Sequence, residues 1–555
     1  MRRLLVIPLA LIVLVIATLV WSAGPNGPPA DFSFINRGDH KTLDLNQMSW
    51  LQDIRVAYAL WEGLYTCDPV TLRPVPGVAN RIDVDKSGTV YTFHLRDNAR
   101  WSNGAPVTAG DFLFAWRREL EEPAEYSYLH YYIKGAKDYQ TAYTAWMAGT
   151  GPKPDFSSVG EKALDSHTFQ VTLGKPIPFF KALCAFPAFF PQYEPCMARY
   201  ARSDDHGRVT SYDEAFTRPP NLVSNGPYYL AEWSFKRRLR MVANPNYWNR
   251  GAVKSHIIDE IFIDDPLAEF RAYDSGEVDW LSDVPGSLVG DMLDEGGRPD
   301  LHIFPSFGTY FYTFNCQPKL PDGRINPLAD VRVRRALTMA IDKEPIVKNV
   351  TRAGQPITND YIPPGVFPGY VSPPGIAMNV AEAQKLLAEA GYPGGRGFPP
   401  LSLLFNTEAD HAQIAEIIHR QWQQNLGIDV HMDGVEVKVF ADRFNKKDFE
   451  IARASWYGDY PDPSTFTDKW RSDSDNNEAG WQNAQYDRLC DLATFDRDPA
   501  KRLKYFAQAE KILLDNAVIL PLFNYVNVYM FRSNVHGLPL DSRLMVMFQS
   551  VQVQR

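Results

Sequence analysis

The residues ARASWYGDYPDPSTF at positions 452–466 set one carboxylate, Asp459, among Trp456, Tyr457 and Tyr460, then add Pro461 and Pro463, which forbid regular structure. Two chemistries are open to an acid in that company. It can form a solvated Asx turn ahead of Pro461, or it can receive a positive charge held against aromatic walls. The residues alone leave both readings open. Catalytic spacings are missing from the rest of the chain, which has no HExxH, GxSxG, Walker loop or GxGxxG. The acid pairs Asp259/Glu260 and Asp264/Asp265 flank an apolar IFI stretch and read as strand ends rather than glycosidase carboxylates. DSDNNE at 473–478 lacks the glycine and the distal glutamate of a calcium loop. The chemistry expected is therefore binding, with no enzyme activity, no cofactor and no metal.

Composition narrows the ligand class. The chain has 555 residues, enough for two or three lobes rather than one core. Its 27 Tyr, 32 Phe and 13 Trp are a rich stock for a cleft that grips organic ligands. With 57 Lys+Arg against 66 Asp+Glu the net charge is −9 and no basic tract is visible, so nucleic acid is not an expected partner. Arg2 and Arg3, the apolar run from Leu4 to Trp21, and then Ser22, Ala23 and Gly24 form an export signal, or an anchor if uncleaved. A periplasmic or extracytoplasmic location follows, with membrane anchoring through the N-terminal segment left open. Five scattered cysteines permit a disulfide without defining one, and none has metal-site spacing.

Alternating strand and helix signals give an α/β chain that can position such a site. TVYTFHLR at 89–96 places Tyr91, Phe93 and Leu95 on one face, and HTFQVTL at 167–173 repeats the alternation with Phe169, Val171 and Leu173. TAGD at 108–111 is a capping box opening a helix through Phe112, Ala115 and Trp116. Asn379, Asp410 and Asp498-Pro499 open three later helices, the first two ended by Gly391 and Gly427. Strand-like IDVHM and VILPLF follow the second and third. The 42 prolines cluster between elements, as expected of long ordered loops.

Eight segments, in order and at matching spacing, resemble the extracytoplasmic oligopeptide-binding proteins of ABC peptide importers (solute-binding protein family 5). They are WEGLYTCDP (61–69), PVPGVANRIDVDKSGTVYTFHLRDNARWSNGAPVTAGDF (74–112), VSNGPYYL (223–230), NPNYWN (244–249), RAYDSGEVD (271–279), DVRVRRALTMAIDK (330–343), AQKLLAEAGY (383–392) and ARASWYGDY (452–460). The resemblance implies a type II periplasmic-binding-protein fold, two lobes with a hinge plus an extra domain. It divides the chain into a signal peptide or anchor at 1–23, a linker at 24–30, lobe I at 31–74, 220–305 and 521–555, an extra domain at 75–219 and lobe II at 306–520. A hinge is expected at YFYTFN, 310–315. The function implied is capture of oligopeptides between closing lobes, as a monomer, and delivery to an ABC permease of the inner membrane. Same-fold binders of murein peptides, nickel chelates, haem or oligosaccharides are the alternatives, with an envelope hydrolase behind them.

Site residues carry over one at a time. Asp459 matches the W-x-x-D acid that holds a peptide's α-ammonium; Arg453 and His411 match carboxylate-binding positions; Asp53 stands at the spacing of a cleft-lining acid. Trp456, Tyr457, Tyr310, Phe311 and Tyr128 are expected around the ligand. Gly308 and Tyr457 stand where relatives carry a cysteine pair, so that crosslink is not expected. Phe311 replaces a common tyrosine, and Thr351, beside Arg352, replaces a lysine; ligand length and carboxylate recognition are the properties these changes touch.

Overall fold

The strand expected at 89–96 runs Val90–Leu95, with Tyr91, Phe93 and Leu95 buried on one face. Its neighbours Ala79–Val84 and Thr168–Thr172, with Glu161–Asp165 outside the latter, complete a four-stranded antiparallel sheet. Helix Ala109–Glu121 begins at Thr108, whose backbone N–H and hydroxyl both donate to the Asp111 carboxylate, 2.7 and 2.9 Å. That start sets Trp116 edge-on against Phe169 at 5.0 Å, closing the helix onto the sheet. These coordinates come from a computed structural model that describes residues 28–555 except 37, 321, 409, 497 and 544. The expected signal or anchor, residues 1–23, lies outside the described residues. Among the described residues no helix is long and apolar enough to cross a membrane.

A mixed sheet of ten strands forms the backbone of the molecule. Across it run Tyr228–Ser234, Arg238–Ala243, Ile257–Ile261, Phe32–Ile35, Trp280–Leu281, Ile519–Phe531, Leu301–Phe314, Ile451–Tyr457, Leu401–Asn406 and Val430–Val435. Beyond the two long central strands, Leu401–Asn406 pairs in parallel with both its neighbours. Parallel strands demand cover on both faces. Helices Val331–Met339, Val380–Glu389 and His411–Leu426 supply one face, burying Leu337, Leu387, Ile418 and Trp422 with Tyr310 and Tyr312. Ala484–Phe495 and Pro499–Asp515 supply the other, burying Cys490, Phe506 and Leu513 with Phe311 and Trp470. On the opposite side, Phe32, Phe34 and helix Leu51–Leu60 share one continuous core with Phe169 and Trp116, so the four-stranded sheet is welded to that lobe.

Two lobes result, joined by Leu301–Phe314 and Ile519–Phe531. These strands pair antiparallel from Leu301↔Met530 to Pro305↔Val526, and again from Thr309↔Asn524 to Thr313↔Ile519. Between the two runs Ser306, Phe307 and Gly308 lie opposite Tyr525 alone, a bulge that bends the strand and re-aims its side chains. The interruption falls just before the 310–315 stretch expected to bend. Tyr310–Phe314 is instead laddered to 451–455, which ties it into the second lobe. VILPLF likewise proves to be the start of a 13-residue strand, because NYVNVYMF continues its pattern.

Candidate functional site

Asp459 lies two residues past the strand Ile451–Tyr457, in a loop whose geometry is pinned by local bonds. Gly458 N–H donates to the Phe307 carbonyl at 2.8 Å, and Asp459 N–H to Thr465 Oγ1 at 2.8 Å. Trp456 Nε1–H reaches the Thr465 carbonyl at 2.7 Å, and the Trp456 ring carries the Lys469 ammonium 4.8 Å above it. Tyr460 is buried and stacks on Phe179 of the other lobe, 5.0 Å between ring centres. With the loop held on both sides, the Asp459 carboxylate is fixed before any ligand arrives.

The carboxylate meets the other lobe directly. Tyr128 Oη–H donates to Asp459 Oδ2 at 2.9 Å, and among the described residues no cationic side chain comes within ion-pair distance of it. Burial raises its pKa to about 7, the Tyr128 hydroxyl pulls it down, and the Glu125 carboxylate pushes it up. A desolvated acid in this state stands to gain from a cation supplied from outside. Space for one adjoins it. A cavity of about 260 Å³ is lined by Tyr58, Tyr126 and Phe186 from the first lobe and by Phe307, Tyr457 and Asp459 from the second.

Arg453, His411 and Tyr310 form a second group in the second lobe. Arg453 donates through Nε and Nη2 to Asn406 Oδ1, 2.8 and 2.6 Å, and packs its guanidinium 5.1 Å from the Phe440 ring centre. Among the described residues its hydrogen-bond partners are Asn406 and, at 3.5 Å, Ser455, so no carboxylate neutralises its charge. His411 opens helix His411–Leu426, and its Nδ1 lies 3.1 Å from the Tyr310 hydroxyl. Burial, aided by the Arg453 charge, lowers the His411 pKa to about 4, leaving a neutral imidazole. Tyr457 stacks on Tyr525 at 4.8 Å, and Tyr525 meets Tyr310 edge-on at 6.1 Å, so an aromatic path links the two groups.

Two expected residues sit elsewhere. Asp53 is fully buried in the first lobe, 3.0 Å from His40 Nδ1, while His40 Nε2 lies 2.8 Å from Glu260 Oε2. Its helix presents Leu51 and Ile54 to the cavity, and Asp53 points to the opposite side. Phe311 is buried between Tyr361 and Trp470, at 5.5 and 5.9 Å, in the core of the second lobe. The strand's period of two explains the swap: Tyr310 faces the His411 side, and Phe311 the reverse. Arg352 is engaged by Asp291 and Asp294 at 3.0 and 2.8 Å, so it does not stand in for the lysine replaced by Thr351. Tyr525, Phe307, Tyr126 and Asn406 were not anticipated. The bulge and the lobe-to-lobe approach bring them in, and no local pattern announces either.

The model of the bacterial extracellular solute-binding proteins, family 5 Middle, matches residues 73–478. The chain belongs to this family. Among family 5 proteins, the periplasmic oligopeptide-binding protein OppA of Salmonella typhimurium is 33% identical over 524 residues, covering 91% of this chain and 90% of its own. The murein tripeptide-binding protein MppA of Escherichia coli superposes with a TM-score of 0.77 at 29% identity, over 95% of this chain and 99% of that one. OppA of Haemophilus influenzae, solved in complex with RPPGFSPFR, gives 0.74 at 29% identity, over 94% and 99%. Gly308 pairs opposite Tyr457, and the Tyr457 ring lies over the glycine so closely that a Cβ there would come within 2.7 Å of it.

Proposed function

We propose that this family 5 protein captures oligopeptides between its lobes outside the cytoplasmic membrane and hands them to an ABC permease, without cleaving them. The observation that carries this reading is Asp459: a pre-fixed, desolvated carboxylate with no cation paired to it among the described residues, on the wall of a cavity shared by both lobes. A peptide's α-ammonium supplies the missing charge, and Tyr128 holds the acid from across the cleft. Arg453, kept oriented by Asn406, receives the terminal carboxylate, with neutral His411 as a second donor. The peptide main chain runs along the free strand edges, and hydrated side-chain pockets tolerate many sequences. Closure turns on the bulge at 306–308 and 525, where the two linking strands lose their pairing. In this reading residues 75–219 are the extra domain, 306–520 the second lobe, 1–23 the export signal or anchor, and the protein acts as a monomer. Relatives named for peptides and for murein tripeptide both support a peptide ligand over chelates, haem or sugars.

Native mass spectrometry of the purified protein tests this. Bound masses should resolve into peptides with unblocked amino termini, recovered intact after long incubation. A non-peptidic solute, or only N-blocked peptides, overturns the proposal.

A further inference from the structure

A second cavity, of about 500 Å³, adjoins the first at the bulge. Pro305 and Ser306 line it, whereas the next residue, Phe307, lines the first, so one step along the strand separates them. The partition continues through the aromatic stack. Tyr457 borders the first cavity and Tyr525 the second, with their rings 4.8 Å apart at 23°. Tyr457 is 45% exposed, and its ring lies over Gly308 where the two cavities meet. The far walls of the second cavity are distinctive. Five prolines, Pro305 and Pro356 among them, stand with Ile357, Ala377 and Tyr525, and the polar share of the lining is Ser306, Thr358, Asn359, Asn524 and the single carboxylate Asp360. Proline rings cannot donate hydrogen bonds and change shape little, so the proline-bearing part of these walls suits apolar or aromatic groups over polar ones.

Resting on the capture reading, we propose that the preferred ligands are peptides long enough to fill both cavities, with an apolar or aromatic side chain in the proline-lined one. The Tyr457–Tyr525 stack is the sill they cross. The first cavity, at about 260 Å³, falls below the roughly 300–1,000 Å³ of ordinary ligand sites, while the second lies within that range. Anchoring at Asp459 therefore fixes the register and leaves the larger chamber to choose among sequences. Ile357, 43% exposed on the rim, gives that chamber an apolar lip.

The test is the ratio of affinities for Ala-Ala-Ala-Phe-Leu and Ala-Ala-Ala, measured by calorimetry on the full chain. In the parent the pentapeptide should bind tighter. Ile357→Asp, which puts charge on the lip, and Ala377→Trp, which fills the chamber, should each cut that ratio about tenfold or more, the scale on which a hydrophobic pocket discriminates. An unchanged ratio in both variants, with thermal midpoints like the parent's, overturns the proposal. Asp459→Asn is run alongside. If it weakens both peptides, the capture reading stands whatever the ratio does. If the ratio collapses while Asp459→Asn binds normally, the chamber stands and the ammonium assignment falls.

Discussion

Tyr128 and Asp459, 331 positions apart in the chain, meet through one hydrogen bond of 2.9 Å that joins the first lobe to the second. The tyrosine lies in the short segment Ser127–Tyr132, and Tyr132 makes a weaker approach to Asp468 at 3.3 Å. Closure of the lobes and readiness of the acid are thereby coupled, since the hydroxyl that touches the carboxylate is also part of the lobe interface.

Removing that hydroxyl without changing the ring isolates the coupling. Tyr128→Phe leaves the carboxylate with one donor fewer, so it should weaken peptide binding by about 1.5–3 kcal/mol, the scale for a hydrogen bond to a charged group. It should also move the pH midpoint of binding upward, because the hydroxyl lowers the pKa of Asp459. Calorimetry across pH reads both; loss of affinity with an unmoved midpoint would assign Tyr128 to packing alone.

The pH dependence has a definite sign. Asp459 titrates near 7 in the folded protein against about 3.9 in an unfolded chain. The native state therefore holds the proton longer, and stability falls as pH rises from about 4 to about 7, with the full cost present above that. Peptide binding needs the ionised acid, so affinity should climb between pH 5 and 7 and release a proton at pH 6. Above about 8 it should fall again as the α-ammonium deprotonates. Titrations in two buffers of different ionisation enthalpy measure the proton directly.

How much of this was readable beforehand depends on the range of the interaction. The alternation of Tyr91, Phe93 and Leu95, the Thr108/Asp111 capping box and the Asn379 cap are local, and each produced the element expected of it. Asp459 was conspicuous because its neighbours are unusual for a solvated turn. Asp53 misled because spacing says nothing about which way a helix turns its acid. Its partner His40 is held in turn by Glu260, which the pairing of Phe32–Ile35 with Ile257–Ile261 brings in across more than two hundred residues. Tyr525 escaped notice for the same reason: it matters only because a bulge opposes it to three residues of another strand.

That buried cluster makes its own prediction. Burial alone would lower the His40 pKa, but the charge of Glu260 and the hydrogen bonds His40 donates to Asp53 and Glu260 outweigh it and raise it to about 10. The imidazolium's stabilisation is present below about 6.5 and drains away as pH rises towards 10. Asp53→Asn should cost about 3–5 kcal/mol of stability, as when one partner of a buried ionic group is lost, and leave peptide affinity unchanged. Chemical denaturation paired with calorimetry separates the two; a matching loss of affinity would return Asp53 to the cleft.

Two glycines in the same loop system should respond differently. A Cβ on Gly458 would come within 2.2 Å of the Phe307 ring, which is buried against Phe367 and Phe466, so Gly458→Ala should cost about 1–3 kcal/mol by overpacking. At Gly308 the nearest atoms belong to the half-exposed Tyr457 ring, at 2.7 Å rather than 2.2 Å, so Gly308→Ala should cost less. Thermal midpoints of the two variants rank them; the opposite order would mean that Tyr457 is locked.

One double-mutant cycle reaches the centre of the account. A single peptide, with a free and an acetylated amino terminus, is titrated into the parent protein and into Asp459→Asn. Acetylation alone, or the substitution alone, should weaken binding by about 2–5 kcal/mol, the cost of truncating one side of a buried charge pair. Together they should cost little more than either, because both remove the same contact. Equal affinity of the parent for the free and the acetylated peptide would contradict the account.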